Sequence, residues 1–283
     1  VATAIPGFVG YTEKGTKNNA IRVESLIDFE EKFGYACKIA ISEEDKINGL
    51  EYKLHESMRL FYANGGGICY VVSVGNYTDA ISNIALETGI SMLEPIDEVT
   101  MIVVPDAVSL EIDELASVQN AALAQCLELK DRVAILDVKD TGNCNTDATN
   151  FRNSIGTKGA SYGAAYYPYI KSVYDREINV YDIYKGLELS NQELENAQYY
   201  AELSEPTEES TLFAKQLMSK PEYAKLVAKI QEQANLLPPS GAIAGIYCAN
   251  DNQRGVWHAP ANMSVSGISD INVRISDKQQ GEL

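Results

Sequence analysis

Strand-like and helix-like segments alternate along the middle of this chain, and that alternation constrains the fold more than any other feature. Residues 68–74 (ICYVVSV) form a continuous β-rich apolar run, the pattern of a strand buried on both faces. Residues 99–104 and 133–138 are two more such runs. Between them, residues 111–130 set Ile112, Leu115, Ala116, Leu123, Cys126 and Leu127 on one helical face. A helix is expected over 147–156 and a strand over 163–167. This order predicts an α/β fold with a mixed, mostly parallel sheet and flanking helices. Upstream, residues 4–11 read as a strand. Ser25 with Asp28 has capping-box spacing and opens a short helix ending near Gly34. Leu50, Leu54, Met58 and Phe61 recur at helical spacing, and Asn64-Gly65 supplies C-terminal cap chemistry.

Residues 238–262 (PPSGAIAGIYCANDNQRGVWHAPAN) are built for close packing. Two prolines start a helix, where a missing N–H costs nothing. Gly241, Ala242, Ala244, Gly245 and Ala249 then give a helix face small enough for another backbone to approach. An Arg-Gly turn follows, then the chain's single tryptophan, Trp257, with Pro260 closing the segment. Trp257 is expected to be buried between this helix and the α/β body, so that truncation to alanine costs about 3–5 kcal/mol.

Composition narrows the partners. With 283 residues and 45% hydrophobic content, the chain can bury a large core. Its net charge of −17 argues against nucleic acid or an anionic membrane as partner, because both select basic surface. Five cysteines (37, 69, 126, 144 and 248) without a CxxC, and only two histidines, argue against a zinc site or a disulfide framework. Cys69, Cys126 and Cys248 lie in apolar runs and read as buried thiols, which fits a reducing cytoplasm. No signal peptide or membrane-length apolar run is visible.

Residues 181–237 differ in character from the rest. Seven glutamates and no lysine or arginine occur from Leu187 to Ser210. Ser219 with Glu222 has capping-box spacing, with Pro221 in the first turn. Tyr223, Leu226, Val227, Ile230 and Leu237 follow as an amphipathic stripe. The expected organisation is an α/β body over 1–180 and 238–283, interrupted by an acidic helical insertion over 181–237.

Catalytic constellations are scarce. Asp106 and Asp137 each follow an apolar strand, where α/β sheets gather ligand sites. They either serve a metal or substrate, or cap helices and turns. No histidine or third carboxylate joins them in a motif, which favours the capping role. Asn64-Gly65-Gly66-Gly67 follows a helix and precedes a strand, the reverse of a phosphate loop, and reads as a tight turn. His55 is expected on the surface of its helix, and His258 at a packed turn. GxSxG, Walker and HExxH sequences are absent. Tyrosines crowd 162–200, where they suit either an interface or a core edge.

The 238–262 segment strongly resembles contractile tail sheath proteins of phage tails and of related extracellular contractile injection systems. Residues 4–15 (AIPGFVGYTEKG), 58–75 (MRLFYANGGGICYVVSVG), 99–107 (VTMIVVPDA) with 131–138 (DRVAILDV), and 162–170 (YGAAYYPYI) resemble that family in the family's order. About 181–237 lies outside the resemblance. The matching positions include Asn64, Gly65, Gly66, Tyr166, Pro168, Arg254, Gly255, Trp257, Pro260 and Asn262, which the resemblance implies are structural and assembly residues. VWHAPAN and NGGGICYVV lean towards phage-like systems over type VI secretion.

The resemblance implies a mechanical subunit with no catalytic residues, cofactor or metal. Its partners would be itself in a helical homopolymer, an inner tube protein, and baseplate and terminal cap proteins. It implies neither nucleic-acid binding nor membrane anchoring. Assembly would be cytoplasmic, followed by a place in a phage tail or a released injection particle. Family members carry extended arms that add strands to neighbouring sheets. This sequence starts close to its first strand and ends in a polar stretch around Gln279, so it is expected to be monomeric by itself. Two other readings remain open: an α/β hydrolase-like or nucleotide-binding enzyme using Asp106 and Asp137, and a cytoplasmic acidic binding module.

Overall fold

Apolar strands that need cover on both faces, joined by helices with one apolar stripe, assemble into a layered sheet. The computed structural model describes residues 3–42, 44–276 and 279. The chain opens with β1 (Pro6–Tyr11), β2 (Ala20–Val23) and α1 (Leu26–Phe33). A short hairpin, β3 (Ala40–Ile41) with β4 (Ile47–Asn48), precedes α2 (Leu54–Ala63) and β5 (Cys69–Gly75). Next come α3 (Asn83–Ser91), β6 (Met101–Val103), α4 (Ile112–Leu129), β7 (Val133–Asp137), α5 (Cys144–Ser154) and β8 (Gly163–Tyr166). Then follow β9 (Ile170–Ser172), α6 (Val180–Ile183), α7 (Asn191–Ala201), α8 (Glu208–Met218) and α9 (Pro221–Ala234). β10 (Leu236–Leu237), α10 (Ser240–Arg254) and β11 (Ile268–Ile271) complete the order.

Two compact units result: Val1–Ala36 with Glu51–Tyr174 and Leu236–Leu283, and Cys37–Leu50 with Asp175–Asn235. The first holds a six-stranded sheet in the order β2-β5-β1-β6-β7-β8. Every neighbouring pair is parallel except β2 with β5. It is the mixed, mostly parallel α/β sheet expected from the alternation. Strand alternation divides the two faces. Phe8, Cys69, Val71, Met101, Val103 and Ile135 point to one side, into a core shared with Phe29 and Phe33 of α1, Met58 and Phe61 of α2, and Ala244 and Cys248 of α10. Towards the other side, α3 comes so close that a methyl on Gly89 would lie 2.4 Å from Val9 and Val74. Arg132, fully withdrawn from solvent at its guanidinium, ties that side together by donating to the carbonyls of Leu93 and Ile96. A three-stranded antiparallel sheet, β10-β9-β11, packs its own small core from Leu60, Ile170, Leu237 and Ala242.

The second unit is mainly helical. Ile39 and Ile41 pack with Ile183, Ile230 and Ala234, and Leu226 and Val227 of the stripe in α9 border this core. Leu50, placed by its spacing in the helical stripe of α2, belongs to this cluster instead, and α2 begins only at Leu54. Arg176 is buried here and donates to the backbone carbonyls of Cys37 and Gly49. Residues 37–50, which carried no separate signal in the sequence, thus share a unit with Asp175–Asn235. Leu236–Leu237, at the end of the acidic stretch, are the strand β10 of the first unit.

Local signals differ in how well they translate. Ser25 accepts the Asp28 N–H at 3.1 Å, but the Asp28 carboxylate turns to the Glu24 N–H at 2.9 Å. The Ser219–Glu222 capping box does not form. Ser219 closes α8 and donates to the Gln216 carbonyl, and Lys220 is the residue before Pro221 at the start of α9. Capping boxes occur instead at Ser190–Glu193 and Thr207–Ser210. His55 is buried, against expectation, because α1 covers it. Its Nε2 lies 3.1 Å from a Glu30 carboxylate oxygen, and the Phe29 ring lies beside it.

The small face of α10 fulfils its purpose against α2. A methyl on Gly241 would lie 2.5 Å from the Ser57 carbonyl oxygen, and one on Gly245 would lie 2.4 Å from that of Phe61. Gly245→Ala should therefore destabilise the protein by about 1–3 kcal/mol in urea unfolding, because overpacking outweighs the roughly 1 kcal/mol helix-propensity gain. Gly67→Ala, with open space around it, should stay within about 0.5 kcal/mol of the parent.

Candidate functional site

In an open α/β sheet the ligand crevice lies beyond the carboxyl ends of the strands, where the strand order reverses. Here the chain builds β2 and β5 to one side of β1, then crosses to β6, β7 and β8 on the other. The reversal falls between β1 and β6. Asp106, three residues beyond β6, sits in that crevice with no solvent exposure. Its carboxylate accepts the Tyr11 N–H at 2.6 Å from the end of β1. It also accepts the Lys53 N–H at 2.5 Å and the Leu54 N–H at 2.9 Å, at the start of α2. An anion-binding helix terminus is thus filled by the chain's own carboxylate.

Asp137 repeats the arrangement one strand further on. It ends β7, is 4% exposed, and accepts both the N–H of Ser240 at 2.9 Å and its hydroxyl at 2.5 Å. Ser240 is the first residue of α10, directly after the proline pair. The cavity beside Asp137, lined also by Ile102, Gln119 and Leu136, measures about 10 Å³, room for one water. Among the described residues, no group of three or more His, Cys, Asp or Glu is placed to hold a metal. No helix among them is long and apolar enough to cross a membrane.

Burial pushes the Asp106 pKa up to about 7 against the opposing pull of three N–H donors, and the Asp137 pKa to about 7 against that of Ser240. These carboxyls each tie a helix start to a strand end. Asp106 and Asp137 thus take the capping role, as internal ties rather than surface turns.

The resemblance positions fall into two groups. Asn64, at the end of α2, is buried and bonds twice to Ser266: its Nδ2 donates to the carbonyl at 3.1 Å, and its Oδ1 accepts the N–H at 2.7 Å. Gly65 turns the chain at φ +92° beneath Ala249 of α10, and Gly66 donates its N–H to the Phe61 carbonyl at 2.9 Å. Tyr166, at the end of β8, shares a 2.6 Å hydroxyl–hydroxyl bond with Tyr247 of α10. Pro168 follows a cis peptide bond between β8 and β9. Asn64, Gly65 and Tyr166 thus gather around α10.

Arg254, Gly255, Trp257, Pro260 and Asn262 form the loop that leaves α10. Arg254 is exposed at the helix end, Gly255 closes the helix at φ +86°, and Asn262 is exposed at φ 54°. Pro260 is half-buried. Trp257 is 86% exposed, which corrects the expected burial. The small face of α10 is occupied by α2 itself, at distances that leave no room for an indole, and the ring instead lies over Gly255. Asn250, overlooked in the sequence, is fully buried and anchors His258. Ser240 was also overlooked, although an N-terminal hydroxyl next to a proline pair was its signal.

No family model and no curated protein matches the chain. Solved structures do. The contracted helical sheath of the anti-feeding prophage (AFP) matches with a TM-score of 0.56 and 21% identity, over 100% of this chain and 56% of that one. The contracted sheath complex of PVC, an extracellular contractile injection system, matches with a TM-score of 0.57 and 23% identity, over 100% and 54%. A chain of the contracted AFP baseplate matches with a TM-score of 0.58 and 19% identity, over 94% and 54%. The fold is therefore tail sheath-like, as the sequence resemblance implied. The chain spans about half the length of these neighbours.

The two carboxylates make separable predictions. In Asp106→Asn an amide N–H₂ must face at least one buried N–H, so the loss should be about 1–3 kcal/mol in urea unfolding. Asp137→Asn should cost less, because the Ser240 hydroxyl can turn to accept from the amide. Both folded pKa values lie above the unfolded value of about 3.9. The folded protein therefore holds protons that the unfolded chain releases, and this contribution is present below about pH 4 and lost as pH rises through about 7. The stability of the parent relative to Asp137→Asn should decline across that window and then level off. A difference that rises with pH would show a lowered carboxyl pKa instead.

Proposed function

We propose that this chain is the body of a contractile sheath subunit, which polymerises around an inner tube and shortens to drive that tube through a target envelope. The observation that carries the reading is the sheath-like fold across the whole chain. Supporting it, the crevice where an α/β enzyme would hold its ligand is closed by Asp106, with Asp137 likewise used internally. The enzyme reading loses its two principal residues to helix anchoring. Under this proposal the partners are further copies of the chain, an inner tube, and baseplate and cap proteins. Assembly takes place in the cytoplasm, before incorporation into a phage tail or an extracellular particle.

Contraction would draw on a free-energy difference between two packings of the same subunit. About one to a few kcal/mol per subunit suffices when subunits switch as a connected lattice. Head-to-tail contacts generate such an open helical assembly. The acidic helical stretch 181–237 is a variable decoration of the subunit in the same reading. Electron microscopy of the complete gene product should reveal hollow, striated sleeves. A uniformly monomeric product together with turnover that Asp106→Asn abolishes, the fold remaining intact, would replace this reading with the enzymatic one.

A further inference from the structure

One helix face of the second unit carries the chemistry that holds a cationic side chain. Tyr199 of α7 is 62% exposed. Its ring stands edge-on against Tyr200 at 5.3 Å, and Tyr200 packs on Phe213 of α8 at 5.5 Å and on Tyr181 at 6.3 Å. The Tyr181 hydroxyl donates to the Ser210 carbonyl of α8. The exposed ring is thus backed by an aromatic stack that joins the two helices. Glu195 and Glu202, both exposed, lie about one helical turn to either side of Tyr199. An exposed ring between two carboxylates attracts a guanidinium or an ammonium twice over, by its quadrupole and by charge.

Charge selects the occupant. From Gly186 to Ala214 the sequence carries seven glutamates and no aspartate, lysine, arginine or histidine. Glu193 pairs with Lys220 at 2.9 Å. Glu195, Glu202, Glu205, Glu208 and Glu209 are exposed and in no ion pair among the described residues. They extend over the end of α7, the loop after it and the first turn of α8, a spread that calls for several cations in one ligand. A second copy is poorly suited, because no two of the chain's 23 lysines and arginines are adjacent in sequence. Lys225 and Lys229, one turn apart on α9, are bracketed by Glu222 and Glu232. Leu194 and Leu212, exposed on the same two helices, offer apolar surface that a polyamine would leave wet. We infer that the Tyr199 face of α7 docks a basic segment of another polypeptide, with an arginine or lysine side chain over the ring between Glu195 and Glu202. This contact adds a partner to the sheath reading and stands whether or not sleeves form.

A fluorescein-labelled amphipathic peptide of lysine, arginine and leucine is the probe, followed by anisotropy at low salt. The parent should bind it. Tyr199→Ala should weaken binding at least about threefold, the loss of a cation–π contact, and Tyr199→Phe, which keeps the ring, should bind as the parent does. Glu195→Gln with Glu202→Gln should weaken binding by about threefold to tenfold, and the difference should shrink as salt rises. Glu111→Gln with Glu114→Gln, exposed at the start of α4, should leave binding unchanged. Unfolding midpoints should match that of the parent, and if Tyr199→Ala does not fold the glutamate pair decides by itself. Four outcomes overturn the inference. A parent that does not bind, or site variants that bind as it does, would mean that no basic segment docks there. An equal loss in the α4 pair would reduce the binding to overall acidity. Spermine binding as tightly, with the same dependence on Tyr199, would make a small cation the occupant. Dimers of the protein alone that Tyr199→Ala dissolves, seen by analytical ultracentrifugation, would make it a second copy.

Discussion

The contact between α10 and α2 is the constraint on which the rest of the first unit depends. Two helix backbones meet at Gly241 and Gly245 with no side chain between them. At that distance the packing gain of each helix depends on the other's position, and neither can slide without a clash. The start of α2 is tied to the ends of β1 and β6 through Asp106, and the start of α10 to β7 through Asp137. Each helix is therefore held along its length by steric fit and at its start by a carboxylate. Tyr247 extends the tie to β8, and Cys248 extends it to the carbonyl of Ala4 before β1. A load applied at α10 is thus shared across the central strands.

The carboxylates explain why a fold class rich in enzymes here offers a closed body. A helix start beside a strand end attracts anions, and in many α/β proteins the anion is a ligand. When the chain supplies the anion itself, the same physics becomes a joint. Two buried carboxyls are costly when ionised, which is the origin of their raised pKa values. The hydrogen bonds from Tyr11, Lys53, Leu54 and Ser240 offset part of that cost and make the joints directional.

Features controlled by local pattern were legible in the sequence. The apolar runs at 68–74, 99–104 and 133–138 became β5, β6 and β7, and the stripe over 111–130 became α4, because strand and helix periods are set by neighbouring residues. The close approach of α10 was also visible, since small residues at helical spacing have few other uses. What escaped depended on distant partners. His55 looks like a surface residue on its own helix and is covered by α1 and by the Tyr35 ring just beyond it. Residues 37–50 join a unit whose remainder lies beyond Tyr174 in the chain. Trp257 was misplaced by its side-chain type: the rule that large apolar groups go inside holds only when the fold leaves them a space. Asp106 and Asp137 were found as strand-end acids, but their N–H donors came from segments about fifty and one hundred residues away.

A mechanical reading asks something particular of such a body. A subunit that changes neighbours while keeping its shape needs stiffness inside and specific chemistry at its edge. In the first unit the stiffness is visible in the α2–α10 contact, the two carboxylate joints and the Asn64 bonds that hold Ser266. The edge chemistry appears where the chain leaves α10. There the buried Asn250 fixes a loop whose outermost side chain is an indole. Rigidity and exposure are coupled at this point, because the buried Asn250 amide holds the backbone and ring of His258 directly beside the exposed indole.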